Sequence, residues 1–262
     1  MLRFAKLEGT GNDFILVNDR DGSFPAQDLA LVRRLCDRHY GIGSDGLILV
    51  QAPREDGTDF HMEFFNPDGS KSFCGNGSRC AYAFWCRISG RSDPARFTAI
   101  DGVHSATWDR GFVRVAMCDV ARIERIDDHT DKAHTGSPHL LVWVKDPEAV
   151  DVVVEARAIR FNVAYAKEGI NVNFLRWHNG RLEMRTYERG VEAETLSCGT
   201  GVTAAALSAM SRGHVEAACE VVTRGGRLRV EAEPNGNGGF AKVHLSGPIG
   251  EVFTGTVDHP GS

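Results

Sequence analysis

The chain has 262 residues, 42% hydrophobic and 25% charged, an ordinary globular composition with room for one large domain or two medium ones. A formal net charge of −5 argues against a nucleic-acid partner. Arg3, Lys6, Glu8 and Asp13 break up any signal-peptide core at the start, and no apolar run approaches the ~20 residues of a spanning helix, so the expectation is a cytoplasmic protein with no membrane partner.

Met1–Glu8 reads as a strand and Asp13–Asn18 as its neighbour, joined by the turn Gly9-Thr-Gly-Asn12. Asn12 is either a turn residue or an amide presented to a ligand. Pro25–Tyr40 reads as a helix with basic residues towards its end and Gly41 as its stop. Gly41-Ile-Gly-Ser-Asp-Gly46 fits a dinucleotide-binding expression but stands in the wrong order, after a helix and before the strand Leu47–Val50. Phe60–Phe65 reads as a strand ending in the turn Asn66-Pro-Asp-Gly-Ser. After the next helix, strands are expected at 96–100, 103–108 and 111–117, the last alternating as a half-buried antiparallel strand does.

The charged stretch Cys118–Asp131 is the candidate boundary between an N-terminal half, 1–119, and a C-terminal half, 120–249. In the second half strands are expected at 139–145, 170–177, 181–187, 215–223, 227–233 and 242–245. Strands outnumber helices and most connections are short. That favours an α+β fold of mostly antiparallel structure, with one main helix per half. His129, His134 and His139 recur every five residues, which suits neither a helical face nor an alternating strand, so no metal site is expected there. The seven cysteines are an odd set without Cys-x-x-Cys, which disfavours a disulfide framework or a redox dithiol.

Two stretches carry the chemistry. Cys198-Gly-Thr-Gly201 opens a helix rich in alanine, and Cys74-Gly-Asn-Gly77 opens another, nearly half the chain earlier. Each alone is only a tight loop before a helix. Packing gives no reason for a matched pair, which suggests two similar halves with one thiol each. N–H groups of a helix's first turn lack intrahelical acceptors and carry partial positive charge. Such an end favours a thiolate of lowered pKa or a bound carboxylate.

In order along the chain, Gly-Thr-Gly-Asn12-Asp-Phe, Gly-Ile-Gly-Ser-Asp-Gly46, Asn66-Pro-Asp-Gly-Ser, Cys74-Gly-Asn-Gly, Gly136-Ser-Pro-His139, Asn171-Val-Asn-Phe and Glu188-Arg189…Cys198-Gly-Thr-Gly closely resemble the diaminopimelate epimerase family. The resemblance implies two pseudo-symmetric domains, each a β-structure around a central helix, with the active site in the cleft between them and the segment 250–262 returning to the first. It implies Cys74 and Cys198 as the catalytic pair, with no cofactor and no metal. Gly75, Asn76, Gly199 and Thr200 would bind the substrate's α-carboxylate, and Asn12, Asn66, Ser137, Asn171, Glu188 and Arg189 the rest. His139 and Glu188 would modulate the thiols, and a homodimer is implied. Ser137 stands where many members carry asparagine, and Gly46 where some carry glutamine; serine reaches less far, and glycine offers no side chain.

The chemistry asks for the same arrangement. Inverting an α-carbon removes a proton from one face and delivers another to the opposite face, which two thiols in line can do, one as thiolate and one as thiol. Proline racemases and hydroxyproline epimerases share this logic but usually carry histidine after the first Cys-Gly, where this chain has Asn76. A non-enzymatic carboxylate-binding module or a thiol redox sensor is the reading from a different class.

Overall fold

The computed structural model describes residues 1–258, so the end of the segment 250–262 lies outside the described residues. Two compact units emerge, one of Met1–Val115 with the chain from Gly247 onward, the other of Ala116–Ser246. The first unit runs β1 (Leu2–Gly9), β2 (Asn12–Asp19), α1 (Leu29–Cys36), β3 (Gly46–Gln51), β4 (Phe60–Phe65), α2 (Gly75–Ser89), β5 (Ala95–Ala99), β6 (Gly102–Asp109) and β7 (Phe112–Ala116). The second runs β8 (Glu124–Arg125), β9 (Thr130–His134), β10 (Pro138–Trp143), α3 (Val152–Arg160), β11 (Asn171–His178), β12 (Arg181–Glu188), β13 (Ala193–Thr195), α4 (Gly199–Ser211), β14 (Ala218–Thr223), β15 (Gly226–Pro234) and β16 (Phe240–Gly247). β17 (Gly250–Val257) pairs antiparallel with β1 in the first unit.

The units repeat one pairing rule. β1–β2 is antiparallel, β2–β3 parallel, β3–β4 antiparallel, β4–β5 parallel, and β5–β6 and β6–β7 antiparallel. The same order of senses recurs in β9–β10, β10–β11, β11–β12, β12–β14, β14–β15 and β15–β16. A parallel pair needs a long crossover, and every such crossover here carries a helix: α1 and α2 in the first unit, α3 and α4 in the second. The fold is thus α+β and pseudo-symmetric. The helix opened by each cysteine, α2 or α4, is the second crossover of its repeat.

Each sheet is covered on both faces. In β2 and β3, Phe14, Leu16, Ile48 and Val50 pack with Tyr82, Phe84 and Trp85 of α2. Their sequence neighbours Ile15, Val17, Leu47 and Leu49 pack with Leu31, Val32 and Leu35 of α1. This is the period-2 alternation of a strand with both faces buried. Phe60 stacks between Trp85 at 5.6 Å and Phe97 at 4.9 Å. Burying each such ring stabilises by about 1.5–3 kcal/mol. α4 has no polar stripe; its residues 199–210 are all buried, as befits a helix enclosed on all sides. Its far end is pinned by Arg212, which bonds the buried Asp131 of β9 at 2.7 and 3.0 Å, and by Ser208, which donates to the same carboxylate.

Two local expectations are corrected. α1 does not run over Pro25–Tyr40. It starts after Asp28, whose carboxylate accepts from Leu31 N–H at 3.0 Å, and it ends before Asp37, which turns extended (ψ 127°). The Asp37 carboxylate then takes the N–H groups of His39 and Tyr40, so an Asx turn ends the helix before Gly41 is reached. The second unit also holds a helix, α3, in a stretch where no element was expected. α3 carries the run Val152-Val-Val, whose β-branched side chains disfavour helix. Capping of Val154 N–H by Asp151, and burial of Val152 and Ala156 against the sheet, override that propensity. Among the described residues no helix is long and apolar enough to cross a membrane.

Gly46 opens β3 beside Phe14, and a Cβ there would lie 2.4 Å from the Phe64 ring and 2.9 Å from the Phe65 carbonyl oxygen. Both obstacles belong to the core of the first unit, so a side chain has nowhere to go. Gly46→Ala is expected to lower unfolding stability by about 1–3 kcal/mol through overpacking. A chemical-denaturation midpoint indistinguishable from that of the unsubstituted protein would show that the ring gives way freely.

Candidate active site

Both cysteines stand at the N-cap. Cys74 is extended (φ −130°, ψ 108°) immediately before α2, and its sulfur accepts from Gly77 N–H at 3.3 Å. Cys198 is likewise extended (φ −119°, ψ 112°) before α4, but it lacks a comparable side-chain cap. Gly75 and Asn76, and Gly199 and Thr200, lie in the first turns, where backbone N–H groups lack intrahelical acceptors and favour an anion.

In the first unit the structure gathers Asn12, Asn76 and Cys74. The Asn12 amide donates from Nδ2 to Asp45 at 2.7 Å. A carboxylate only accepts, so Oδ1 faces the other way. There it meets Asn76 Nδ2 at 3.5 Å and the Cys74 thiol at 3.9 Å. Asp45 is itself held by Arg38, which also pairs with Asp13 at 2.6 Å, beside Lys6. Those cations hold the Asp13 carboxyl down at about 2 in spite of its partial burial. The Gly41–Gly46 stretch thus serves as the support of Asn12.

Beneath α2's first turn lies Arg79, fully buried. It donates to Asn76 Oδ1 at 2.8 Å, Thr10 Oγ1 at 3.0 Å and Pro248 O at 3.3 Å, and no carboxylate pairs with it among the described residues. Burial pulls its pKa down to about 10, which still leaves a permanent positive charge below the Cys74 helix. Asn66 is not drawn into this group: its amide is spent on Ser70 and Ser72 of its own turn.

In the second unit, strand alternation places His139 on β10, Asn171 and Asn173 on β11, and Thr186 and Glu188 on β12 on one face, with α4 packed over it. The intervening Leu140, Val172 and Tyr187 face α3 instead. His139, fully buried, lies 3.0 Å from Thr200 Oγ1, which lies 3.5 Å from the Cys198 sulfur. The close approach requires Gly201, where a Cβ would come within 2.8 Å of Asn173 Oδ1 and 3.3 Å of both His139 and Cys198. Asn171 donates to Ser137 Oγ and the Pro138 carbonyl, both at 2.9 Å, and accepts from Arg189 N–H at 3.0 Å. Arg189 turns its guanidinium to the Glu168 carbonyl at 2.7 Å.

The expectation of a lowered thiol pKa fails at Cys198. Burial, and then the Glu188 carboxylate beside it, push this thiol well above its ordinary value, and the Thr200 hydroxyl and the Gly201 N–H only partly offset them. Desolvation outweighs the helix end here. Sequence reasoning also passed over Asp45, Arg79, Asn173 and Thr186. Asn173 had a legible signal, its spacing of two from Asn171 on a strand; buried Arg79 had none.

Solved structures share this architecture. A probable proline racemase from Agrobacterium radiobacter matches with a TM-score of 0.71 at 16% identity, over 98% of this chain and 93% of that one. A hydroxyproline epimerase from Agrobacterium vitis matches with 0.73 at 15%, over 97% and 91%, and a phenazine biosynthesis protein of the PhzF family from Bacillus anthracis with 0.73 at 13%, over 98% and 99%. At such identities the likeness is one of fold, and it places the chain in this class of two-unit proteins. Sequence narrows the class. The diaminopimelate epimerase family model matches residues 4–121 and 132–248. Diaminopimelate epimerases of Flavobacterium psychrophilum and Aquifex aeolicus are 39% and 37% identical, over 98% of this chain and at least 98% of each relative. The chain belongs to the diaminopimelate epimerase family.

Burial drives the His139 pKa down to about 3, so the ring is neutral at physiological pH. Its folded pKa lies below the unfolded value, so the unfolded chain takes up the proton first. The stabilisation is complete above the unfolded value of 6.5 and is lost as pH falls towards 3. Between about pH 6 and pH 4, above most carboxylate titration, this group is expected to remove about 1.4 kcal/mol of stability per pH unit. His139→Asn removes that slope while the contribution of His214, shifted the same way by burial, remains. Urea unfolding at several pH values reads the difference; parallel slopes would mean that His139 is not held neutral.

Proposed function

We propose that this protein is a cofactor-independent diaminopimelate epimerase that interconverts the LL and meso forms in lysine and cell-wall precursor biosynthesis, with Cys74 and Cys198 as its two acid–base groups. The observation that carries the reading is the repeat itself. The second crossover helix of each unit begins directly after a cysteine, in matching backbone geometry.

In this mechanism one sulfur, as thiolate, takes the α-proton from one face while the other, as thiol, delivers a proton to the opposite face. The roles reverse for the reverse direction. Cys198, its thiol raised by burial and by Glu188, rests protonated. In this reading Glu188 receives its proton when Cys198 acts as base. The α-carboxylate lies at the first turns opened by Gly75-Asn76 and Gly199-Thr200. Fixed donors there take up the charge that spreads from the carbanionic centre, each worth about 3 kcal/mol by analogy with oxyanion holes. Asn12, Asn66, Ser137, Asn171 and Arg189 are assigned to the rest of the substrate. Apolar Val252 and Phe253, exposed on β17, support a homodimer. The reduced state of the cysteines, all of them free, suits a cytoplasmic protein.

A proline racemase or hydroxyproline epimerase is the second reading, favoured by the fold neighbours alone. Asn76 against Asn12 and Arg79, where those enzymes usually place histidine, speaks against it. A coupled assay for meso-diaminopimelate with no added cofactor, run beside a proline racemisation assay, decides between them.

Cys74→Ala and Cys198→Ala are each expected to reduce turnover by about 10²–10⁴-fold or more with the fold retained. In deuterated water, product formed early from LL-diaminopimelate should carry deuterium at the inverted centre, while recovered substrate carries little. Product that keeps the original α-hydrogen would show one base serving both faces and would sink the two-thiol assignment.

A further inference from the structure

A chain of buried hydrogen bonds runs from β12 to the Cys198 sulfur, and its direction is fixed at its far end. Asn173, fully buried on β11, donates from Nδ2 to the Leu140 carbonyl at 3.1 Å. A carbonyl only accepts, so this bond sets the amide's orientation. Asn173 Oδ1 correspondingly accepts from the Thr186 hydroxyl at 3.0 Å. The same Nδ2 lies 3.3 Å from His139 Nδ1. A donor there requires Nδ1 to carry the lone pair, so the proton of the neutral ring sits on Nε2. Nε2–H then donates to Thr200 Oγ1 at 3.0 Å. With its oxygen occupied as acceptor, the Thr200 hydroxyl has its own hydrogen to give, and the Cys198 sulfur stands 3.5 Å away.

We propose that Asn173, braced by Thr186, is a positioning residue that selects the Nε2–H tautomer of His139 and thereby makes Thr200 a hydrogen-bond donor to the Cys198 sulfur. The inference rests on the reading of Cys198 as a proton-transferring thiol and adds the device that makes its thiolate accessible. A donor on sulfur stabilises the thiolate over the thiol. It acts in the same direction as the Gly201 N–H and opposes the Glu188 carboxylate from β12 and burial, both of which disfavour the thiolate. His134 and Arg189 act on His139, and both oppose its protonation. The ring is therefore neutral at rest, and its tautomer decides whether it donates to Thr200 or accepts from it.

Three measurements on the unliganded protein test this. Nitrogen-15 NMR of histidine-labelled wild type should show His139 with its proton on Nε2; a proton on Nδ1 overturns the proposal outright. In a Cys74→Ser background, alkylation of Cys198 by iodoacetamide is followed against pH by peptide mass spectrometry. Thr200→Val should move the midpoint up by about one unit, roughly a tenfold slower reaction at a fixed lower pH, while Thr200→Ser restores it. Asn173→Asp keeps the shape but can only accept at Nδ1. It should transfer the ring proton to Nδ1, move the midpoint as Thr200→Val does, and add nothing in the double variant. Should Asn173→Asp not fold, the wild-type tautomer and the Thr200 pair still decide. Equal profiles for Thr200→Val and Thr200→Ser would reject the relay, leaving Asn173 with a packing role only. None of these readouts needs turnover, so failure of the epimerase assay would sink the proposed function while leaving the tautomer measurement to stand or fall alone.

Discussion

The constraint on which the site depends is how closely the start of each central helix approaches its sheet. At Gly77 a Cβ would lie 3.1 Å from Ile48, and at Gly201 only 2.8 Å from Asn173. Glycine at the third helical residue lets the first turn settle onto the strands. The cysteine one residue before the helix is then held at a fixed height over the face. The long crossover that a parallel pair demands delivers the helix to that place in both units. The anion-favouring end of the helix, the thiol and the polar side chains of the strand face come together as one consequence of that packing.

The same frame surrounds the two sulfurs with different chemistry. Cys74 receives a backbone N–H and faces an amide oxygen, with the buried Arg79 charge beneath its helix. Cys198 lacks a comparable side-chain cap; besides the Gly201 N–H it meets a carboxylate and a hydroxyl whose direction is governed by a neutral histidine. The two-thiol reaction proposed above needs each sulfur to be base in one direction and acid in the other. Identical surroundings are not required for that. What is required is that neither protonation state be so favoured that the substrate cannot reverse it. At Cys198 burial and Glu188 raise the thiol, while Thr200 and the Gly201 N–H act against them.

Much of this was legible in the chain. Strands such as Phe60–Phe65 and Arg181–Glu188 show continuous or alternating apolar runs, and the two Cys-Gly helix starts announce the repeat. What sequence hid falls into physical kinds. α3 went unplaced because its valines disfavour helix, and only burial over the sheet makes it one. β9 escaped because one of its inward residues is Asp131, whose burial is acceptable only with Arg212, Ser208 and Trp143 around it, 77 or more residues away for the first two. α1 was drawn too long because Gly41 looked like its stop, while the Asx turn at Asp37 acted first. Of the candidate site residues, the structure groups Cys74, Asn12 and Asn76, and separately Cys198, Thr200 and His139. Roles resting on side chains already committed to protein partners, such as Asn66, could not be judged from residue type.

The two departures from the family's commoner pattern have local causes of different strength. At Gly46 the Phe64 ring occupies the space a side chain would need, so the glycine is matched to its neighbour and the core would have to change with it. Ser137 is a milder case. Its hydroxyl accepts from Asn171, whose amide oxygen takes the Arg189 N–H, so the serine helps set the path of the chain just beyond Glu188. A shorter side chain at 137 thus gives up reach and gains a brace for the carboxylate that stands beside Cys198. The residue at 137 is thereby coupled, through Asn171, to the stretch of chain that brings Glu188 beside Cys198.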